Sequence, residues 1–220
     1  MARLIVRQPG LLGYNTAWRQ MVRFTDERDD ESCDECWRVE HPPVFTLGLA
    51  GKQEHILDRG KIPVIHSDRG GQVTYHGPGQ LVVYLMIDLK RKGLGVKDYV
   101  HGLEQALIAC LAGRGIAAGR IEKAPGVYVD GKKIAALGIR VKRGCSYHGI
   151  ALNVDPDLAP FSRINPCGYP GMEVTSLCEL GCRLDTVTVF NELLPYLLAE
   201  FDYSESESRP AWHMHKSRAA

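Results

Sequence analysis

A glycine-rich stretch that runs straight into an apolar one constrains this chain most. From Arg69 to Gly79 the residues Arg-Gly-Gly-Gln-Val-Thr-Tyr-His-Gly-Pro-Gly hold four glycines and a proline. From Leu81 to Leu89 the run Leu-Val-Val-Tyr-Leu-Met-Ile-Asp-Leu is almost unbroken in apolar character. A run that short, with Val and Ile in it, predicts a strand covered on both faces. Glycines free to take positive φ beside such an anchored strand can bring backbone N–H groups close to a ligand. With Arg69, Thr74, Tyr75 and His76 interleaved, the loop reads either as a small-molecule site or as a tight turn with a chance histidine.

Composition narrows the classes. The 220 residues suffice for one well-filled core, and 45% hydrophobic with 24% charged residues is ordinary for a globular domain. A formal net charge of +1 argues against a general nucleic-acid binder. No apolar run approaches the ~20 residues that cross a bilayer. The apolar core near the N-terminus is far too short for a signal peptide, so the expectation is a cytoplasmic protein. Seven cysteines, odd in number and scattered, fit reduced thiols. Cys33 with Cys36 and Cys178 with Cys182 could supply four thiolates to zinc, but the second spacing is wide and the first pair sits among acids, so no metal is expected.

Along the chain, Leu4–Val6 predicts a short strand and residues 15–28 a helix, with Trp18, Met21, Val22 and Phe24 as its buried stripe. Seven acids between Asp26 and Glu35 predict a solvated helix end or loop. Val44–Gly48 and Pro63–His66 read as strands, the second feeding the glycine loop. Lys90-Arg91-Lys92-Gly93 reads as a solvated basic turn, or as a contact for an acidic protein. Val96–Arg114 predicts a helix through its apolar spacing. From Gly126 to Val154, Asp130-Gly131 and Arg143-Gly144 mark turns of an antiparallel meander, with Ala135, Ala136 and Gly138 leaving open space over the middle strand. Asn165 to Gly171 is a second Gly/Pro loop, and Thr186–Phe201 an apolar helix capped by Asp185 or Thr186 and interrupted at Pro195. Residues 1–202 read as one domain and 203–220 as a disordered tail, in which His213 and His215 are incidental.

Two residues could carry chemistry. Cys167 lies in a proline-bounded loop and precedes glycine, which presents its sulfur uncrowded; Cys145, at a turn, is its rival, while Cys110 reads as core filler. A nucleophilic thiol needs a base or a cation nearby. Lys133 lies just past the hairpin turn beside small residues, and strand alternation puts it on the same side as Ala135 and Leu137, toward the covered face, whereas Lys132 points to water.

Four motifs now stand in order: Arg69 to Gln80, Lys133-Ile-Ala-Ala-Leu-Gly138, Tyr147-His-Gly-Ile-Ala-Leu-Asn153 and Asn165-Pro-Cys-Gly168. Together they resemble the bacterial octanoyltransferases of lipoic-acid biosynthesis, over residues 4–200. The resemblance implies an α+β fold, a mixed, mostly antiparallel sheet flanked by helices, like that of the biotin and lipoate protein ligases. It implies an acyltransferase that moves octanoyl from octanoyl-acyl carrier protein to a lysine of lipoyl domains of 2-oxoacid dehydrogenases and the glycine-cleavage H protein, without a cofactor and as a monomer. Cys167 matches the family's acyl-thioester cysteine, and Lys133 the lysine that lowers its pKa and handles protons. Arg69, Gly70, Gly71, Gln72, Val73, Thr74, Tyr75 and His76 match the substrate-binding loop. Ala136, Leu137 and Gly138, with Gly149, Ile150 and Ala151, match the remainder of the acyl site. The alternatives are an ATP-dependent lipoate ligase, which would not need Cys167, a thioester hydrolase, which would admit water to the second step, and a non-enzymatic acyl-binding module, which would form no adduct.

Overall fold

The computed structural model describes residues 3–122 and 124–211, and of Cys167 the backbone alone. In chain order the elements are β1 (Arg3–Leu11), α1 (Tyr14–Glu27), β2 (Asp34–Glu40), β3 (Val44–Leu47), β4 (Val64–His66), β5 (Val73–His76) and β6 (Gln80–Met86). There follow α2 (Leu89–Lys92), α3 (Val96–Ala112), β7 (Gly119–Ile121), β8 (Ala124–Val129), β9 (Lys132–Lys142), β10 (Cys145–Asn153), α4 (Thr186–Glu200) and β11 (Glu205–Arg209). Short 3-10 turns occupy Gln53–His55, Ala159–Arg163 and Pro166–Gly168.

Eight strands form one mixed sheet in the order β11-β1-β2-β6-β10-β9-β8-β7. The pairs β11·β1 and β1·β2 are parallel and the rest antiparallel, as expected of this fold class. A second sheet, β4-β3-β5, is smaller.

Strand β6 explains the layering. Its seven residues are all buried, because alternate side chains feed two cores. Leu81, Val83 and Leu85 meet Tyr99, Leu103 and Leu107 of α3 and Phe190, Leu193 and Leu197 of α4. Val82, Tyr84 and Met86 meet Ala17 and Met21 of α1 together with Trp37 and Tyr147. The small sheet has its own core of Phe45, Leu47, Val73 and Tyr75 closed by Phe161 and Ile164.

The meander is as its turn residues predict: Asp130 and Gly131 take φ of 48° and 80°, and Arg143 and Gly144 take 53° and 83°. Asp185 caps α4 by accepting from the Thr188 N–H.

Several expectations need correction. On α1 the fully covered residues are Tyr14, Ala17, Met21 and Thr25; Trp18, Val22 and Phe24 pack only partly. The acidic block is not wholly solvated. Asp34 and Glu35 open β2 and are 2% and 5% exposed. Arginines from elsewhere compensate them: Arg28 and Arg91 reach Asp34 at 2.6 and 2.8 Å, and Arg7 reaches Glu35 at 2.7 Å. The basic turn is a short capped helix whose Lys92 donates to the Phe201 and Asp202 carbonyls. The expected tail is ordered in its first part. Tyr203 is buried and donates to Asp34 at 2.6 Å, and β11 pairs with the edge of β1 from Glu205 to Arg209. His213 and His215 lie outside the described residues. Cys36 is fully buried while Cys33 is exposed. Among the described residues no group of three or more His, Cys, Asp or Glu gathers to hold a metal, and no helix is long and apolar enough to cross a membrane.

Candidate active site

The site begins with an interruption in the large sheet. Strand β9 pairs with β10 along its length from Ala135 to Lys142, but β8 accompanies it on the other side only as far as Ala135. Beyond that point the glycine loop takes over, with the Gly70 N–H donating to the Ile139 carbonyl at 2.8 Å. Between these two supports the β9 edge at Ala136, Leu137 and Gly138 lines a cleft.

This cleft is narrow, with an interior volume of about 40 Å³, room for a few water molecules. Its walls are Gly71, Gln72, Val73, Thr74 and His76 from the loop and β5, Val82 and Tyr84 from β6, and His148 to Ala151 from β10. A second, roomier cleft of about 300 Å³ shares Gly71, Gln72, Leu137 and Gly138 with it and adds Val100, Pro125, Ile139 and Tyr169. The two therefore meet at the glycine loop.

Arg69 lines the first cleft, but its guanidinium is engaged in building the loop. It is 6% exposed and donates to Thr46 Oγ1 and the carbonyls of Thr46, Gly70 and Gln72, at 2.6–3.1 Å. Two glycines make room for it: a Cβ on Gly48 would stand 2.9 Å from Arg69 Nη1, and one on Gly138 would stand 3.0 Å from Arg69 Cδ. Tyr75, expected at the site, turns instead into the small core against Phe45 and Phe161.

Lining and backing the cleft, His76 joins a group of buried rings, Tyr14, His41, Tyr84 and His148, that the sequence did not single out. Tyr14 stacks on His76 with centroids 5.7 Å apart and meets His41 edge-on at 5.3 Å. His41 bonds the Leu12 carbonyl at 2.6 Å and the Tyr84 hydroxyl at 2.7 Å, and His76 bonds Gln80 Oε1 at 2.7 Å. Burial holds all three histidines below their ordinary value: His41 at about 4, His76 well below, aided by repulsion from His41 and Arg69, and His148 below despite Asp68. Burial alone would raise the Asp68 carboxyl, but bonds from His148 and Tyr147 carry it lower. His148 sits at φ 62° and bonds Asp68 at 2.9 Å through Nε2; its Nδ1 is buried without a hydrogen-bond partner among the described residues. The signal for it was present, since His148 stands inside the motif that supplied Gly149 to Ala151.

Lys133 is 4% exposed, with Nζ 3.1 Å from the Pro125 carbonyl and over the Tyr128 ring at 5.2 Å. Past the end of β10, the segment Glu173–Thr175 runs alongside it: the Lys133 N–H donates to Glu173 O, and Thr175 N–H donates to Lys133 O, at 2.9 and 3.0 Å. That segment leads back to the turn Pro166–Gly168, which carries Cys167. The turn rests on two supports. Asn165 N–H donates to the His55 carbonyl at 2.8 Å, and Gly168 lies against Gln72 of the glycine loop, 3.3 Å from where its Cβ would be. Tyr169 then lines the second cleft together with Pro125. The Cys167 side chain lies outside the described residues. Its rival Cys145 opens β10, lines neither cleft, and has its thiol pushed up by burial.

The lipoyl protein ligase A/B catalytic domain matches residues 13–199, and the chain belongs to that family. Solved structures agree on the fold. A lipoate-protein ligase A bound with ATP superposes with a TM-score of 0.78 at 15% identity, covering 96% of this chain and 90% of that one. A putative lipoate protein ligase from T. acidophilum with bound lipoic acid gives 0.74 at 15% identity, over 96% and 88%. Within the family the chain falls among the octanoyltransferases. It is 60% identical to the octanoyltransferase of Xylella fastidiosa (strain 9a5c) over 90% of this chain and 86% of that one. With the octanoyltransferase of Pseudomonas syringae pv. syringae (strain B728a) it shares 56% over 93% and 94%.

Proposed function

We propose that this acyltransferase carries out octanoyl transfer in protein lipoylation through a thioester on Cys167, with Lys133 as its proton carrier. The observation that carries the reading is proximity: buried Lys133 is bonded through its backbone to the 173–175 segment that follows the turn bearing Cys167, and Gly168 of that turn packs on Gln72 of the glycine loop lining both clefts. The donor is octanoyl-acyl carrier protein and the acceptor is a lysine of a lipoyl domain; the bi-partite lipoate protein ligase of Thermoplasma acidophilum, of the same fold, has been studied with its E2 lipoyl domain.

In the first step the Cys167 thiolate attacks the octanoyl thioester, and the departing pantetheine sulfur takes a proton from the Lys133 ammonium. In the second, the lipoyl-domain amine attacks the enzyme thioester, Lys133 takes back a proton, and the thiolate is released as the amide forms. The enzyme ends as it began, and no ATP enters. The acyl chain lies against Val73, Val82, Leu137, Ile150 and Ala151 in the first cleft. Backbone N–H groups on the open β9 edge at Ala136–Gly138 stabilise the oxyanion, typically worth about 3–4 kcal/mol per donor. An ATP-dependent ligase is disfavoured, since the ligases share the fold at 15% identity while octanoyltransferases share 53–60% of the residues.

Intact-mass measurement after incubation with octanoyl-acyl carrier protein tests the scheme. One octanoyl adduct is expected, removable by hydroxylamine and absent in Cys167→Ala; an unmodified wild-type enzyme would overturn it. Release of free octanoate at the rate of transfer, with lipoyl domain present, would mark a hydrolase instead. Lys133→Met should move the alkylation of Cys167 to higher pH, and an unshifted profile removes Lys133 from the scheme.

A further inference from the structure

Glu104 lies on α3 and is 6% exposed, an uncommon position for a carboxylate. Its Oε1 accepts from the Gly126 N–H at 2.9 Å, and its Oε2 from Arg120 Nε at 2.9 Å. The peptide that supplies this N–H is the one whose carbonyl, Pro125 O, accepts from Lys133 Nζ at 3.1 Å. One planar peptide therefore has a carboxylate on its donor side and an ammonium on its acceptor side. Hydrogen bonds in such a chain polarise one another, so the carboxylate strengthens the carbonyl as an acceptor.

The backbone is shaped for this arrangement. Gly126 adopts φ +142°, and a Cβ there would lie 2.8 Å from the Ala135 carbonyl and 3.0 Å from Lys133 Cε. Strand β8 thus has no side chain where the lysine passes. Arg120 is itself fixed, donating to the His101 carbonyl and Gln105 Oε1, so the carboxylate is held from the far side.

We infer that Glu104 is a positioning residue for Lys133, acting through the Pro125–Gly126 peptide: it fixes where the ammonium sits and places negative charge one peptide away from it. This rests on the role proposed above for Lys133. A purely structural Glu104 would only tie α3 to β8, and the two accounts differ in what they do to the thiol.

The test measures single-turnover acylation of Cys167 by octanoyl-acyl carrier protein and the pH profile of its alkylation, in wild-type and Lys133→Met backgrounds. Losing one charge-reinforced hydrogen bond in Glu104→Ala should slow acylation by about tenfold or more, with the half-saturating donor concentration unchanged within about twofold. The alkylation profile of Glu104→Ala should shift in the wild-type background and show no further shift in Lys133→Met. Glu104→Gln, which keeps an acceptor but not the charge, should retain most of the rate with a smaller displacement. Should Glu104→Ala fail to fold, the Glu104→Gln profiles decide in the same way. An unmoved profile in the wild-type background, or an equal shift with and without Lys133, overturns the inference. Failure of the parent scheme looks different: wild-type enzyme then forms no adduct, while the paired alkylation profiles still report whether Glu104 acts through Lys133.

Discussion

Asp34 collects four donors at once: Arg28, Arg91, the Tyr203 hydroxyl and the Asp88 N–H. Burial alone would raise its carboxyl, yet those bonds hold it below the ordinary carboxylate value. Removing the carboxylate in Asp34→Ala strands the buried Arg28 and leaves the Tyr203 hydroxyl unpaired, so a loss of about 3–5 kcal/mol is expected from urea unfolding. A cost below about 1 kcal/mol would show the cluster to be dispensable. The residue also shows where reading from sequence stops. Asp34 sits in an acidic block that looks solvated, and only donors brought in from distant segments, among them arginines from α2 and just past α1, make its burial tolerable. Tyr75 differs for another reason: on a four-residue strand, nothing in the local pattern says which of two cores a side chain faces. Cys167 and Lys133 stood out because their neighbours are small or conformationally special, a property that single residues do carry.

Elements with strong local signals were legible. The apolar run gave β6, the Asp130-Gly131 and Arg143-Gly144 turns gave the meander, and Asp185 gave the start of α4. Strand β2 was missed because Asp34-Glu-Cys-Trp-Arg-Val-Glu40 mixes charge into a buried central strand. Strand β11 was missed because Glu-Ser-Glu-Ser-Arg has no apolar face; ion pairs from Arg3 to Glu205 and Glu207 hold it at the sheet edge. Ending the chain at Asp202 therefore should not be neutral. Losing the buried Tyr203 ring and its bond to Asp34 should cost about 3 kcal/mol or more, lowering the melting temperature by roughly 6–12 °C. An unchanged melting curve would return these residues to the status of a tail.

Across the whole molecule, the buried histidines couple folding to acidity. An unfolded His41 takes up a proton near its ordinary 6.5, while the folded one resists until about 4. Between these values the unfolded chain binds more protons, so stability falls as the pH drops. His41 alone contributes roughly 3 kcal/mol over that interval, and His76 and His148 act in the same direction. Denaturation midpoints should be high at pH 7.5 and clearly lower at pH 5; equal midpoints would mean that these rings take up protons as readily folded as unfolded.

The glycine loop is fastened unevenly. Arg69 binds it firmly to the small sheet through Thr46, whereas among the described residues one main-chain bond, Gly70 to Ile139, ties its tip to β9. A fatty chain entering beneath the loop would strain that clasp together with the bonds that Tyr147 and His148 of β10 make to Asp68.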